Sequence, residues 1–155
     1  MSKMNWSELN HLQVGQYAEY FAQMIFTRYG FDVYTSEVDD KGIDFIVKSE
    51  GGNFYEMQVK SIRTEKSSYV FQSKDKFDIT NKKLFLVLVL FTDLDEPHIY
   101  LLNSQNWLVE NELFRNREYK SRGLKSKDEW GLNITKRSIG ILNNYRFEEN
   151  IHLLQ

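Results

Sequence analysis

The segment LFLVLVLF, at Leu84–Phe91, consists of eight consecutive apolar residues. A strand with one face in water alternates apolar and polar side chains, whereas a strand covered on both faces is apolar throughout. The run is too short to cross a bilayer as a helix, which takes ~20 residues. It therefore predicts a central strand in a sheet that has packed layers on both sides.

An amphipathic helix is predicted upstream, from about Ser7 to Tyr29. Apolar side chains recur there at steps of three and four residues and form one stripe along the helix. Gly30 follows the last of them, at a position where glycine commonly ends a helix. The stripe consists of Val14, Ala18, Phe21, Ala22, Ile25 and Tyr29.

Strand patterns fill most of the chain between this helix and residue 102. Strands are predicted at FDVYTSEV, IDFIVKS, FYEMQVKSIR, SYVFQS and HIYLL, with turns at VDDKG and EGGN. KDKFDITNKK is ambiguous, with a short helix as one interpretation, and SQNWLVENEL predicts a short helix. Residues 115–133 are polar and are predicted to be irregular. Thr135 is positioned to N-cap a final helix that ends near Tyr145.

This order of elements predicts an α/β protein with a mixed central sheet flanked by helices. No Gly/Ser-rich linker and no internal repeat divides the chain. We therefore expect a single domain over residues 1–155. Its core would occupy about residues 7–102, and a C-terminal helical extension would occupy about residues 103–155.

Composition narrows the classes of function. The chain has no cysteine, which excludes disulfides, thiolate-bound zinc and thiol nucleophiles. Its formal net charge is −2, so any binding of nucleic acid would need a local basic patch or a bound cation. The N-terminus MSKMNWSELN lacks the apolar core of a signal peptide. We expect a soluble cytoplasmic protein with no membrane segment.

The predicted hairpin GIDFIVKSEGGNFYEMQVKS carries three polar side chains that can converge. Period-two alternation places Gln58 and Lys60 on one face of the second strand of the hairpin. Counting outward from the Gly51-Gly52 turn brings Asp44 about level with them. A register slip of one residue would separate the groups, so the sequence alone leaves their convergence open.

These residue types suit a metal-assisted reaction on a phosphate. A carboxylate and an amide oxygen are hard ligands for Mg²⁺ or Mn²⁺, and a nearby lysine can stabilise phosphate charge or help to deprotonate water. A single carboxylate is too few charged ligands for a divalent metal site, so a second is expected. Glu19 is the candidate for a second, because its row on the first helix contains the small residues Gly15 and Ala22 and leaves room to approach the sheet.

From Gly15 to Leu90, these motifs resemble the PD-(D/E)XK nuclease superfamily, which includes restriction endonucleases and archaeal Holliday junction resolvases. GQYAEYFAQMIFTRYGFDVY resembles its first helix and strand, GIDFIV its metal-binding Asp motif, and MQVKS its (D/E)XK motif. The QxK form of Mrr-like restriction enzymes is the most similar variant. The resemblance implies a restriction endonuclease-like αβββαβ core, a divalent metal and hydrolysis of DNA phosphodiesters.

Carried over by position, the resemblance implies a metal site at Glu19, Asp44 and Gln58, with the Val59 carbonyl as a further ligand. Lys60 would orient or activate water. Two departures affect this assignment: Ile43 stands where the family has proline, and Gln58 stands where it has an acid. A neutral amide binds Mg²⁺ more weakly than a carboxylate, so Glu56, two residues away on the same predicted face, is the reserve ligand.

Charge is unevenly distributed along the second half of the chain. Residues 84–114 contain five acids and no Lys or Arg, whereas RNREYKSRGLKSK, at 115–127, contains six Lys or Arg residues and one acid. Such a stretch is commonly just a solvated surface; if the resemblance holds, it is a candidate arm for phosphate contacts. The candidate nucleic-acid-binding residues are Arg63, Lys66, Lys74, Lys76, Arg115, Arg117, Lys120 and Arg122.

Three interpretations stay open at the level of sequence. The first is a Mg²⁺-dependent DNA endonuclease, and a homodimer is possible because enzymes that cut both strands often act in pairs. The second is a nuclease-like fold without catalysis that binds nucleic acid or protein. The third is an unrelated fold in which the polar residues are only solvated.

Overall fold

A computed structural model describes residues 4–38 and 41–155, so Asp39 and Asp40 of the predicted VDDKG turn lie outside the described residues. The first helix, α1, spans His11–Arg28, and two short helices, α2 at Ile139–Leu142 and α3 at Phe147–Asn150, lie near the C-terminus. The strands are β1 Asp32–Thr35, β2 Phe45–Lys48, β3 Phe54–Arg63, β4 Tyr69–Ser73, β5 Leu84–Phe91, β6 His98–Asn103, β7 Phe114–Arg117 and β8 Glu129–Asn133.

The main sheet is mixed and has the strand order β1-β2-β3-β5-β6. β3 and β5 run parallel, and the other neighbouring pairs are antiparallel. Every residue of β5 is buried, which confirms the strand predicted from its uninterrupted apolar run. The observed class is therefore the predicted α/β class, with helices flanking a mixed central sheet.

One face of the main sheet is covered by α1. The buried face of the helix, which includes Ala18 and Phe26, packs in one core with Phe45, Met57 and Val87 of the sheet. The helix begins at His11 rather than at Ser7, because Asn10 and Gln13 form a reciprocal capping box with two hydrogen bonds of 2.9 Å. The preceding residues Trp6–Glu8 form a separate 3₁₀ turn.

The other face of the main sheet is covered by a second sheet, of order β4-β8-β7. Leu86 and Leu88 of β5 share this second core with Phe114 and Leu132 of the second sheet. The prediction that residues 115–133 are irregular is therefore wrong for β7 and β8. Their strands are short and their outer faces are polar, so alternation within them was too weak to detect.

The remaining predicted short elements are present with changed bounds. Where the resemblance implies a second core helix, between β3 and β5, the chain has β4 and a 3₁₀ turn at Lys74–Lys76. The predicted helix in SQNWLVENEL is a 3₁₀ turn at Ser104–Leu108. The final helix begins at Ile139, because Thr135 caps only a turn, in which the Ser138 N–H donates to Thr135 Oγ1 at 3.3 Å. Among the described residues, no helix combines the length and apolar character needed to cross a membrane.

Candidate functional site

The register of the β2–β3 hairpin places Asp44 beside Gln58. Phe45 lies opposite Met57 and Ile46 lies opposite Glu56, and extending this register by one residue brings Asp44 about level with Gln58. The Asp44 N–H donates to the Met57 carbonyl at 2.9 Å, which holds Asp44 against β3. Because residues that lie opposite each other share a face, the polar faces of the two strands coincide.

β3 continues past the point where β2 begins, and the Asp44 side chain occupies this edge. Asp44 Oδ2 accepts a hydrogen bond from the Val59 N–H at 2.6 Å. The N–H and C=O groups of one strand residue point to the same side of the strand. The Val59 carbonyl therefore faces the edge at which the Asp44 carboxylate lies.

Gln58 carries an unusual acceptor. Its side chain is only 6% exposed, and its Oε1 is buried with no hydrogen-bond partner among the described residues. An unsatisfied buried polar atom costs about 1–3 kcal/mol, so such atoms are rare in folded proteins. A neutral carbonyl oxygen beside a carboxylate is a pair of hard oxygen donors, which fits a divalent cation.

Lys60 lies on the same face of β3, one alternation further along the strand. Burial lowers the pKa of its amine; the negative charge of Asp44 acts in the opposite direction, and the positive charge of Lys76 lowers the pKa further. A lysine with a lowered pKa exchanges its proton more readily near neutral pH. Asp44, Gln58 and Lys60 are thus brought together at the start of β2.

Lys76 and Gly42 lie next to the candidate site, beside Lys60 and Gln58. Lys76 was expected among the DNA-binding lysines, and its charge acts directly on Lys60. Gly42 has a φ of +78°, and a Cβ built on it would lie 3.0 Å from Lys76 Cβ and 3.2 Å from Gln58 Nε2. A side chain at position 42 would therefore push into both neighbours. The only sequence signal for Gly42 was its place in the DDKGID turn.

The two further acids occupy different positions. Glu19 is half-buried on α1, which packs on the sheet face opposite to Gln58. Glu56 shares the Gln58 face, and its Oε2 accepts from Asn81 Nδ2 at 3.0 Å. It also lines a cavity of about 340 Å³ together with Ile43 and Ile46. The described residues contain no group of three or more His, Asp or Glu side chains placed to hold a metal ion.

Several of the eight predicted DNA-binding side chains already have partners within the fold, among them Arg63 and Lys74. Arg63 donates to the backbone carbonyls of Trp6 and Leu9 and so ties the N-terminal turn to β3. The Lys74 ammonium lies 4.0 Å from the centroid of the Trp130 ring and 3.5 Å from Glu118 Oε1.

Five further basic candidates are exposed on the surface. Lys66 lines a small cleft at the end of β3 together with Ser61 and Tyr69. The remaining four are exposed on β7 and on the turn that follows it: Arg115, Arg117, Lys120 and Arg122.

Gln72 is a polar residue that the sequence reasoning missed. It is 2% exposed on the inner face of β4, and neither of its amide atoms has a hydrogen-bond partner among the described residues. Gln72 lies opposite Trp130, which packs against the second core. Gln58 lies opposite Leu86 of that core, so both amides point into the layer between the two sheets. Alternation in SYVFQS predicted a strand but could not indicate which face would be covered.

Comparison with protein-family models finds no matching family, and no curated protein sequence matches the chain. Solved structures do match. The chain is similar to a bacterial homing endonuclease at 20% sequence identity, over 93% of this chain and 90% of that one, with a TM-score of 0.51. It is also similar to a Holliday junction resolvase from the archaeal hyperthermophile Archaeoglobus fulgidus, at 11% identity over 77% and 83% of the two chains, with a TM-score of 0.48.

The first of these likenesses extends over nearly the whole of both chains. Together with the five-stranded mixed sheet and its flanking helices, it shows that this protein has a restriction endonuclease-like nuclease fold.

Proposed function

We propose that this protein is a metal-dependent endonuclease that hydrolyses DNA phosphodiester bonds with Mg²⁺ or Mn²⁺. One observation carries the proposal: the orphaned Oε1 belongs to Gln58, which shares a face with Lys60 and lies between Met57 and Val59, the two residues whose backbone groups bond to Asp44. The nuclease fold supports the proposal.

The metal would be held by the Asp44 carboxylate, Gln58 Oε1 and the Val59 carbonyl. Glu19 would add the second carboxylate, and Glu56 is the reserve ligand that would first have to leave Asn81. A bound divalent ion supplies Lewis-acid stabilisation of the charge that develops on the phosphoryl oxygens.

Lys60 would take the proton of the attacking water. Water adds to phosphorus, the P–O bond to the leaving nucleotide breaks, and Lys60 Nζ receives the proton released from the water. Burial lowers the pKa of Lys60, which raises the fraction of neutral amine able to do this. Lys76 adds positive charge beside the phosphate and disfavours reprotonation of Lys60.

Gln58 would make this a QxK variant of the nuclease motif. A neutral amide at a position only 6% exposed avoids the cost of burying a charge when no metal is bound. The same neutrality weakens attraction for the cation, so the proposed site binds Mg²⁺ less tightly than a site with a third carboxylate.

The second candidate function is a nuclease-like module that binds nucleic acid without cutting it. The observation in its favour is the lack, among the described residues, of a cluster of three acidic or histidine side chains. This candidate predicts binding of DNA in EDTA and no cleavage with any divalent ion.

Nicking of supercoiled plasmid in Mg²⁺ and in Mn²⁺ tests the proposal. Wild type, Asp44→Asn and Lys60→Met are compared with Lys48→Met, because Lys48 is a half-buried lysine on the same face of the same hairpin. We expect nicking by wild type and by Lys48→Met only. Full nicking by Asp44→Asn or Lys60→Met would refute the site, and binding without nicking by wild type would favour the second candidate.

A further inference from the structure

The outer face of the second sheet carries a basic cleft at some distance from the candidate site. This outer cleft has a volume of about 530 Å³, and four of its seven lining side chains are basic and one is acidic. The lining residues are Glu112, Arg115, Arg117, Asn133, Thr135, Lys136 and Arg137. A concave surface of one sign of charge concentrates counter-charged ligands more than scattered charges do.

Arg117 is held in a fixed orientation within this cleft. Its guanidinium carbon lies 3.8 Å from the centroid of the Tyr69 ring, and Tyr69 Oη donates to Glu129 Oε2 at 2.7 Å. Burial raises the pKa of the Tyr69 hydroxyl, and the hydrogen bond to Glu129 raises it further, so the hydroxyl stays protonated and donating. A stacked guanidinium is pre-organised and retains donors for bidentate contact with a phosphate.

Gly131 makes this arrangement possible. It lies opposite Arg115 on β7 and Phe71 on β4, in the middle of the second sheet. A Cβ built on Gly131 would lie 2.0 Å from Tyr69 Oη, so only glycine allows the Tyr69 ring to lie across β8. The sheet is therefore shaped to hold Tyr69 under Arg117.

Lys136 and Arg137 supply the positive charge that the fold does not use. Both side chains are exposed, and neither has an ion pair or side-chain hydrogen bond among the described residues. Arg115 differs, because its Nη2 lies 3.7 Å from Glu110 Oε2 and its Nη1 donates to the Asn111 carbonyl at 3.0 Å.

Tyr69 connects the outer cleft with a second cleft at the end of β3. Its ring carries Arg117 on the outer cleft, and it also lines the cleft at the end of β3 with Ser61 and Lys66. Ser61 directly follows Lys60. Successive strand residues point to opposite faces, so this polar and basic surface joins Ser61, Lys66 and Tyr69 to the outer cleft without including the Lys60 side chain.

We propose that the outer cleft binds the phosphate backbone of DNA and that the bound strand continues past Tyr69 to Lys66. The proposal rests on the proposed function for what happens to the DNA there. Backbone contacts by Lys136, Arg137 and Arg117 position DNA without reading its sequence. An acidic protein segment would also be attracted to the charge, but the stacked Arg117 guanidinium and the continuation of the basic surface to Lys66 suit the repeated phosphates of a DNA strand.

Fluorescence anisotropy with a labelled DNA duplex in EDTA tests the proposal without requiring cleavage. Lys136→Ala/Arg137→Ala is compared with wild type from low to moderate salt. The matched control is Lys82→Ala/Lys83→Ala, which also removes two adjacent exposed charges but lies at the start of β5. Each lost phosphate contact lowers the slope of log K against log salt by ~0.9. We expect the first pair to lower the slope by about 1.8 and to weaken binding, and the control to leave the slope unchanged.

The outcomes separate this inference from the proposed nuclease function. An unchanged slope for Lys136→Ala/Arg137→Ala, or an equal loss in the control, overturns the outer cleft as a DNA site even if wild type nicks plasmid. A lower slope for this pair upholds the cleft even if wild type never nicks. If Lys136→Ala/Arg137→Ala lost binding to poly-glutamate but kept wild-type binding to DNA, the cleft would be assigned to an acidic protein instead.

Discussion

The candidate site and the outer cleft are both polar, but they differ in burial and in number of charges. In the candidate site, Gln58 Oε1 is buried without a hydrogen-bond partner among the described residues, and burial lowers the pKa of Lys60. The outer cleft has four exposed bases, one of which is Arg117. Interactions in the first region are few and weakly screened, whereas those in the second are individually weak and sensitive to salt. Substitutions in the first should therefore change rate and metal affinity, and those in the second should change DNA affinity and its salt dependence.

Among the substitutions, Lys60→Met is expected to have the largest effect, a loss of nicking rate. Loss of a positioned proton acceptor typically lowers a rate by ~10²–10⁴-fold. We expect single-turnover nicking to fall by this order while the salt slope of DNA binding stays at the wild-type value. A lowered salt slope would place Lys60 among the phosphate contacts and would remove the distinction between the two regions.

The next effect is expected from Gly131→Ala, which places a methyl group where Tyr69 Oη lies. Overpacking of this kind costs about 1–3 kcal/mol of unfolding free energy. Thermal unfolding should show a lower Tm. Displacement of the Tyr69 ring, on which Arg117 stacks, should weaken DNA binding. Gly140→Ala is the control, because a Cβ built on Gly140 meets nothing within 4 Å. An unchanged Tm for Gly131→Ala would mean that Tyr69 moves aside at no cost.

Gln58→Glu tests whether a divalent ion binds beside Asp44. A carboxylate at this buried position would have its pKa raised by burial, so the variant is expected to lose stability in EDTA as pH rises through that pKa. A bound divalent ion would favour the ionised form. We therefore expect Mg²⁺ or Mn²⁺ to raise the Tm of Gln58→Glu more than that of wild type at pH 8, by mass action.

The matched comparison is Gln72→Glu, which adds the same charge to a side chain that is also buried between the sheets. An equal metal-dependent rise in Tm for both variants would contradict a cation site beside Asp44. A rise for Gln58→Glu alone would support it without any measurement of cleavage.

The smallest effect is expected from Lys76→Met. Activity should rise with pH as Lys60 loses its proton, with a midpoint below the ordinary lysine value of ~10.4. The positive charge of Lys76 helps to lower the Lys60 pKa, so its removal should move this midpoint upward. The pH–rate profile of single-turnover nicking measures the shift, with Lys66→Met as the control. A midpoint that moves downward would show that Lys76 does not act on Lys60 through its charge.

The parts of the fold that could be predicted from sequence are those with strong local periodicity. The run at Leu84–Phe91 predicted a covered strand, and alternation around the Gly51-Gly52 turn predicted the level at which Asp44 meets Gln58. The start of α1 was placed too early, because the reciprocal cap of Asn10 and Gln13 has only two side chains to identify it. The strands β7 and β8 were missed because each has four or five residues and a polar outer face.

By itself, the sequence determined the α/β class, the central position of β5 and the face shared by Gln58 and Lys60, because strand periodicity is local. Only the tertiary structure decided what covers each face of the sheet. It placed Glu19 behind the sheet, brought Lys76 against Gly42 and assembled the outer cleft from residues 112–137. Packing joins residues that are far apart in the chain, so the buried state of the Gln58 amide and the unused charges of Lys136 and Arg137 follow from the assembled layers.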